Sequence, residues 1–161
     1  MVKLRLSIPG RPAMNNFTNA LHDEKTFYNA FLRDLEDCQS EVIIESPFIT
    51  TERMNQLRPV LTKLISRGVK VFIVTRDPNE HTDNYEIQSE AAVRFCEALG
   101  VQVLLCSGNH HRKLAILDRT VLWEGSLNIL SQIHSREIMR RLEGGGFAVD
   151  MFNFINFGRY I

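Results

Sequence analysis

Apolar residues along this chain recur with two periods, two and about 3.6, and the switching between them predicts strands alternating with helices. Val2, Leu4, Leu6 and Ile8 alternate with Lys3, Arg5 and Ser7, a strand pattern that Pro9-Gly10 ends. From about His22 to Cys38, Phe27, Phe31, Leu32 and Leu35 recur at spacings of three and four. Asp23 and Glu24 lie near the start of that segment, where a helix dipole favours them, so the segment reads as a helix. A short strand, Glu41 to Glu45, follows. Pro47 and Thr50-Thr51 mark a turn and a cap before the stripe Met54, Leu57, Leu61, Leu64 and Ile65, which stops at Gly68. Val69 to Val74 reads as a buried strand, Asp77 to Tyr85 as a loop, and Glu86 to Leu99 as a helix closed by Gly100. Val101 to Leu105 adds a strand before the polar loop Ser107 to His110.

The second half is patterned differently. Leu114 to Leu117 and Val121 to Trp123 are separated by Asp118-Arg119-Thr120, a hairpin spacing. Glu137 to Leu142 adds a strand, and Phe147 to Phe157 has the apolar content of a closing helix after Gly144-Gly145-Gly146. The expected architecture is α/β, a mixed, largely parallel β-sheet sandwiched between helices. A length of 161 residues fits one domain, 1–161, with an ordinary core.

Composition narrows this reading only slightly. Nineteen Lys plus Arg balance nineteen Asp plus Glu, so attraction to a polyanion has to come from a local patch. Cys38, Cys96 and Cys106 are odd in number and lack the spacing of a metal or redox pair, which points to reduced thiols and a cytoplasmic location. The opening MVKLRLSIPGRP breaks each apolar stretch with Lys or Arg, and nothing in it directs export. No run approaches the ~20 apolar residues of a membrane span.

Chemistry concentrates in HRKLAILDRTVLWEGSLN, residues 111 to 128. Here His111-x-Lys113 is followed by four residues, Asp118, six residues, and Gly125-Ser126-x-Asn128. On an extended segment His111 and Lys113 project to one side, and so would Ser126 and Asn128. An imidazole is a nucleophile near neutral pH, a Lys ammonium attracts phosphate oxygens, and Ser and Asn supply neutral hydrogen bonds. That set suits attack on a phosphodiester and calls for neither metal nor other cofactor. Cys106, His81, His110 and His134 do not form the closely spaced ligand pairs of a zinc site. His110 would face away from His111 on a strand. Trp123 reads as core or dimer surface more readily than as a platform for bases. Phe147, Phe152, Phe154 and Phe157 read as helix-packing residues and not as a membrane wedge.

The spacing resembles the HKD signature of the phospholipase D superfamily, with specific matches confined to residues 111 to 137 and looser likeness over about 27 to 142. The resemblance implies a phosphohistidine on His111, with Lys113, Ser126, Asn128 and Arg112 binding substrate. It also implies an acidic residue some ten positions after the Asn that holds the far imidazole nitrogen. Glu137, nine residues after Asn128, is that candidate. Gly125 and Asp118 belong to the motif as structural residues, and Asp118 anchors backbone beside its turn.

Only one His-x-Lys occurs, which is similar to the small nuclease branch in which two identical chains complete one site; a homodimer is therefore implied. Between His110 and Arg141 six basic residues face three acidic ones, a local excess that favours a nucleic-acid backbone. WEGSLNILSQ followed by EIMRR also resembles phospholipase D-like domains joined to helicase or restriction modules, which implies such a partner domain. The expected function is a metal-independent phosphodiesterase, a nuclease acting on DNA or RNA. The alternatives are a phospholipase or cardiolipin hydrolase, and a catalytically weak nucleic-acid-binding dimerisation module. The lack of an amphipathic basic helix weighs against the first, and an intact His111, Lys113 and Asn128 weighs against the second.

Overall fold

The computed structural model describes residues 16–132 and 134–161. The strand expected over Val2 to Ile8 lies outside the described residues. Among the described residues seven strands and four helices follow one another as β1 (Phe17–Asp23), α1 (Phe27–Asp37), β2 (Glu41–Glu45), α2 (Thr51–Ser66), β3 (Lys70–Arg76), α3 (Asp83–Ala98), β4 (Gln102–Cys106), β5 (Leu114–Leu117), β6 (Val121–Gly125), β7 (Ile138–Gly144) and α4 (Phe147–Phe154). Single 3₁₀ turns at Pro78–Glu80 and Phe157–Tyr160 complete the order.

The sheet runs β1-β7-β6-β5-β2-β3-β4. It is mixed, as expected, but parallel pairing is confined to β2-β3 and β3-β4. The pairs β1-β7, β7-β6, β6-β5 and β5-β2 are antiparallel, so "largely parallel" describes only one side of the sheet. The cause is connectivity. Helical crossovers deliver β2, β3 and β4 in one direction, whereas the tight Asp118–Thr120 turn forces β5 and β6 to run oppositely.

Alternation along each strand divides the core between two faces. Val42, Ile44, Val71, Ile73, Ala115, Leu117 and Trp123 pack under α1, α2 and α3. Ile43, Phe72, Val74, Ile116 and Leu122 pack against α4 and Phe157 on the opposite face. Trp123 is fully buried, so it is core, and its indole N–H donates to Asp34 Oδ2 at 2.8 Å. Phe152 and Phe157 pack as expected, but Phe154 is 81% exposed because it falls on the outer side of α4. Cys38 and Cys96 are buried and Cys106 half-buried, all as free thiols.

The helix expected from His22 begins only at Phe27. Residues 17 to 23 instead form β1, an edge strand exposed along nearly its whole length, so no apolar alternation announced it. Asp23 ends the strand as a turn, accepting from the Thr26 hydroxyl (2.8 Å) and N–H (2.9 Å). Thr50 caps α2 through its side chain, as its position before the stripe predicts. Among the described residues no helix is long and apolar enough to cross a membrane.

Candidate active site

His111 stands in the irregular segment that leads into β5, beside the carboxyl ends of β2 and β3. Three contacts hold that segment. Glu80 accepts from the N–H groups of Gly108 (2.6 Å) and Asn109 (3.1 Å), which keeps its carboxyl below the usual glutamate range. Arg76, the last residue of β3, donates through Nε (3.2 Å) and a terminal nitrogen (3.0 Å) to the carbonyl of His110. Arg112 forms an ion pair with Glu45, the last residue of β2, at 2.7 Å. None of Glu45, Arg76 and Glu80 stood out from the sequence. A carboxylate closing the buried run Val42-Ile43-Ile44 was the available signal for Glu45.

His111 and Lys113 do project to one side. Lys113 Nζ lies 2.8 Å from His111 Nδ1 and also donates to the His111 carbonyl at 2.7 Å. An ammonium only donates, so Nδ1 is the acceptor and the imidazole proton sits on Nε2. The charge of Lys113, helped by slight burial and by Arg76, lowers the pKa of His111 and keeps the ring neutral near pH 7. Burial lowers the pKa of Lys113 itself, against the opposing pull of Glu137. His110 is buried behind this pair, and burial, with Arg112 next, pushes its pKa down to about 4.

An open cleft of about 840 Å³ joins His111, Arg112 and Lys113 to Gly125, Ser126 and Arg140, with Leu21, Ile138 and Phe154 along its apolar wall. Ser126 Oγ accepts from the N–H of Ile138 (3.1 Å), while Ser126 N–H donates to the Ile138 carbonyl (2.9 Å). The hydroxyl proton stays available to a phosphate oxygen. Gly125 is required by close approach, because a Cβ there would lie 2.1 Å from the Ile138 carbonyl oxygen and 2.9 Å from Met139 Cα.

Asn128 does not converge on this cleft with the others; it lines a second hollow with Phe48, Thr50, Tyr85 and Ser131. Its loop is not extended. Leu127, Ile129 and Leu130 are fully buried, and the Asn128 carbonyl accepts from Ser131 N–H (3.1 Å) and Gln132 N–H (2.8 Å), so the chain turns at once. The Tyr28 hydroxyl clamps the loop by donating to the Ile129 carbonyl (2.8 Å), and Thr50 N–H does so at the Leu130 carbonyl (3.0 Å). The Asn128 Oδ1 atom is buried without a hydrogen-bond partner among the described residues.

Glu137 is not bonded to His111 among the described residues; its carboxylate accepts from the Ser135 hydroxyl at 2.5 Å, and its charge acts on Lys113. Lys113 Nζ occupies the imidazole nitrogen that Glu137 was expected to hold. Asp118 lies at the far end of β5, about 16 Å from Lys113 at ~3.3 Å per residue. It anchors backbone, though not that of its own turn. Oδ1 accepts from Ser40 N–H, Ser40 hydroxyl and Glu41 N–H, and Oδ2 from Gln39 N–H, which ties the hairpin to the start of β2.

A family model described as the phospholipase D-like domain of cardiolipin synthase matches residues 31–143, most of the chain. The chain belongs to the phospholipase D superfamily. No curated protein sequence matches it. Among solved structures it is similar to Nuc, a phospholipase D family member from Salmonella typhimurium, with a TM-score of 0.69 and 18% identity over 86% of this chain and 91% of Nuc. NucT from Helicobacter pylori gives a TM-score of 0.68 at 18% identity, covering 86% of this chain and 93% of NucT. Phosphatidylserine synthase from Haemophilus influenzae gives 0.66 at 16% identity, over 89% of this chain and 39% of the synthase. At these identities the likeness is one of fold. It accords with a mixed α/β sheet that places His111, Lys113, Gly125 and Ser126 of the motif at one end of its strands and Asp118 at the other.

Proposed function

We propose that this phospholipase D-like chain is a metal-independent phosphodiesterase that cleaves DNA or RNA through a covalent phosphohistidine, in a site shared across a homodimer. One observation carries the reading: an exposed, neutral imidazole at His111, with Lys113 Nζ at 2.8 Å, opens onto a cleft that also holds Arg112, Ser126 and Arg140. Substrate phosphate draws Lys113 off Nδ1, and the ring proton moves from Nε2 to Nδ1, where Glu137 supports it. Nε2 then attacks phosphorus, and the bond to the leaving oxygen breaks as a second imidazole, protonated because the substrate's negative charge raises its pKa, donates to that oxygen. A water deprotonated by the same second imidazole cleaves the phosphorus–nitrogen bond and frees His111. Lys113 stabilises charge on the phosphoryl oxygens, the Ser126 hydroxyl donates to one of them, and Arg112 holds a neighbouring phosphate.

This chain has a single His-x-Lys, so the second imidazole is the partner copy's His111. The basic excess between His110 and Arg141 supports the nucleic-acid reading, and the free thiols support a cytoplasmic setting. A helicase or restriction module as partner domain belongs to the same reading. A phospholipid substrate is the second reading, favoured by the apolar cleft wall at Leu21, Ile138 and Phe154, beside which an acyl chain would lie.

Two experiments test these readings. DNA, RNA and cardiolipin vesicles are incubated with the protein in EDTA; cleavage of the polynucleotides alone is expected, and lipid turnover alone would install the second reading. Wild-type chains are then refolded with an equal amount of His111→Ala chains. Random pairing leaves about one quarter of dimers with two wild-type copies, so activity falls to about one quarter at equal total chain concentration. Retention of one half would mean that each chain works alone.

A further inference from the structure

Glu45 closes β2 as a carboxylate only 2% exposed, after a run of Val42, Ile43 and Ile44. A buried carboxylate is costly unless it is paired, and an aliphatic side chain would fill the same strand position more cheaply. Arg112 supplies the pairing, with Nε 2.7 Å from Oε2 and a terminal nitrogen 3.3 Å from Oε1. The dependence between the two is unequal. Arg112 keeps 45% of its side chain in solvent and needs no partner to remain hydrated, whereas Glu45 has no other cation within ion-pairing distance among the described residues except His110, whose Nε2 lies 3.7 Å from Oε2. Burial, Arg112, Arg76 and Lys113 together keep that imidazole neutral. What the buried carboxylate gives the molecule is a fixed place for a guanidinium that would otherwise swing freely, on the residue that follows His111 and lines the same cleft.

We propose that Glu45 is a positioning residue that fixes the Arg112 guanidinium in the cleft as a preset receptor for a substrate phosphate beside the one attacked by His111. The identity of the anion rests on the phosphodiesterase reading; the Glu45–Arg112 coupling does not. The other end of β2 carries a contrasting pair. Glu41 and Arg119 form a similar ion pair at 2.5 Å next to Asp118, at the sheet edge opposite the cleft.

Inorganic phosphate is titrated calorimetrically into wild type, Glu45→Gln, Arg112→Ala, the double variant and Glu41→Gln, and hydrolysis of a short oligonucleotide is followed in parallel. Glu45→Gln and Arg112→Ala are each expected to weaken phosphate binding about tenfold, and the double variant no further than either alone. Glu41→Gln is expected to bind phosphate as wild type does while melting at lower temperature. In turnover, Glu45→Gln raises KM and leaves kcat within about twofold, a split that a merely structural residue would not produce. Wild-type phosphate affinity in Glu45→Gln, additive losses in the double variant, or no phosphate binding by wild type would each overturn the proposal. Should Glu45→Gln fail to fold, Glu45→Asp decides in its place: about threefold weaker binding supports the role, and unchanged binding removes it. Failure of wild type to cleave any diester would remove the phosphodiesterase reading, while the phosphate titration would still decide what Glu45 does.

Discussion

Replacing Asp118, the aspartate of the motif, should cost stability and spare chemistry. Asp118→Ala removes the acceptor of four hydrogen bonds, from the N–H groups of Gln39 (2.7 Å), Ser40 (2.8 Å) and Glu41 (2.9 Å) and from the Ser40 hydroxyl (2.8 Å). Bonds to a charged acceptor reach about 1.5–3 kcal/mol each when buried, but water can replace part of the loss at this half-exposed turn, so about 1 kcal/mol each is the better figure. The total is roughly 3–4 kcal/mol, which lowers Tm by about 6–16 °C in a chain of this size. Asp118 also has φ of 49°, a conformation that Asp and Asn tolerate and Ala resists. Asp118→Asn keeps that tolerance and one acceptor oxygen but turns an amide N–H toward another donor, so it should lose about half as much. Burial works against ionisation of Asp118, yet the donors from Glu41, Gln39 and Ser40 outweigh it and hold the carboxyl below the usual aspartate range. With the folded pKa lowered, the contribution is complete above the unfolded value of ~3.9 and disappears as pH falls through the folded one, so wild type and variant should converge in strong acid. Thermal melts followed by circular dichroism at neutral and acid pH measure this, with turnover read well below each variant's Tm. An Asp118→Asn protein that melted as wild type but lost turnover a hundredfold would refute the reasoning and put Asp118 in the chemistry.

The remaining expectations concern the cleft. The acid limb of kcat/KM should fall below the ordinary histidine value, because Lys113 lowers the pKa of His111; in Lys113→Ala that limb should move up, while the rate drops by roughly two to three orders of magnitude. Asn128→Ala should keep turnover near wild type, because Asn128 lines its own hollow; a loss of roughly two to three orders of magnitude with an unchanged circular dichroism spectrum would bring it into the chemistry of the cleft. Glu137→Gln should bind oligonucleotide normally and turn it over more slowly; equal rates would remove Glu137 from support of the imidazole. Gly125→Ala should lower Tm and turnover together, since its Cβ would fall 2.1 Å from the Ile138 carbonyl and displace Ser126, and a protein that melted normally would contradict the close approach.

What the sequence disclosed followed the strength of local periodicity. Strands β2, β3, β5 and β6 are legible as short apolar runs and α1 and α2 as helical stripes, whereas α3 begins at Asp83, inside the loop expected over Asp77 to Tyr85. The edge strand β1 buries almost nothing, so neither alternation nor a turn marked it. Strand direction was less legible than strand existence, because parallel and antiparallel partners impose the same apolar run when both faces are covered. In the site, the His111–Lys113 spacing translated into one shared side because two residues of extended chain fix it. The Ser126–Asn128 spacing did not, because Leu127, Ile129 and Leu130 pull the loop into the core and break the extended geometry. Glu45 and Arg76 escaped notice because they reach His111's neighbours through the sheet from strands more than thirty residues earlier.

The sheet assigns opposite tasks to its two edges. The carboxyl ends of β2, β3 and β6 and the starting ends of β5 and β7 meet at one edge, because β5 runs antiparallel to β2 and Glu45 is thereby paired with Leu114. Glu45, Arg76, Lys113, Gly125 and Ile138 therefore share that edge, as ligand-binding groups do at the carboxyl ends of parallel strands in open α/β sheets. Asp118 and the Glu41–Arg119 pair stand at the other edge, where Asp118 fastens the hairpin to the chain entering β2. His111 is solvent-exposed and contributes little core volume, so truncating it removes chemistry with small loss of stability, whereas truncating Arg112 removes anion binding and also leaves the buried Glu45 unpaired. Asp118 and Glu41 engage backbone or a half-exposed ion pair far from the cleft, so replacing them loosens the sheet first. A phospholipase D motif read as a single catalytic string would predict one phenotype for all its members. Its division between two edges of one sheet predicts two.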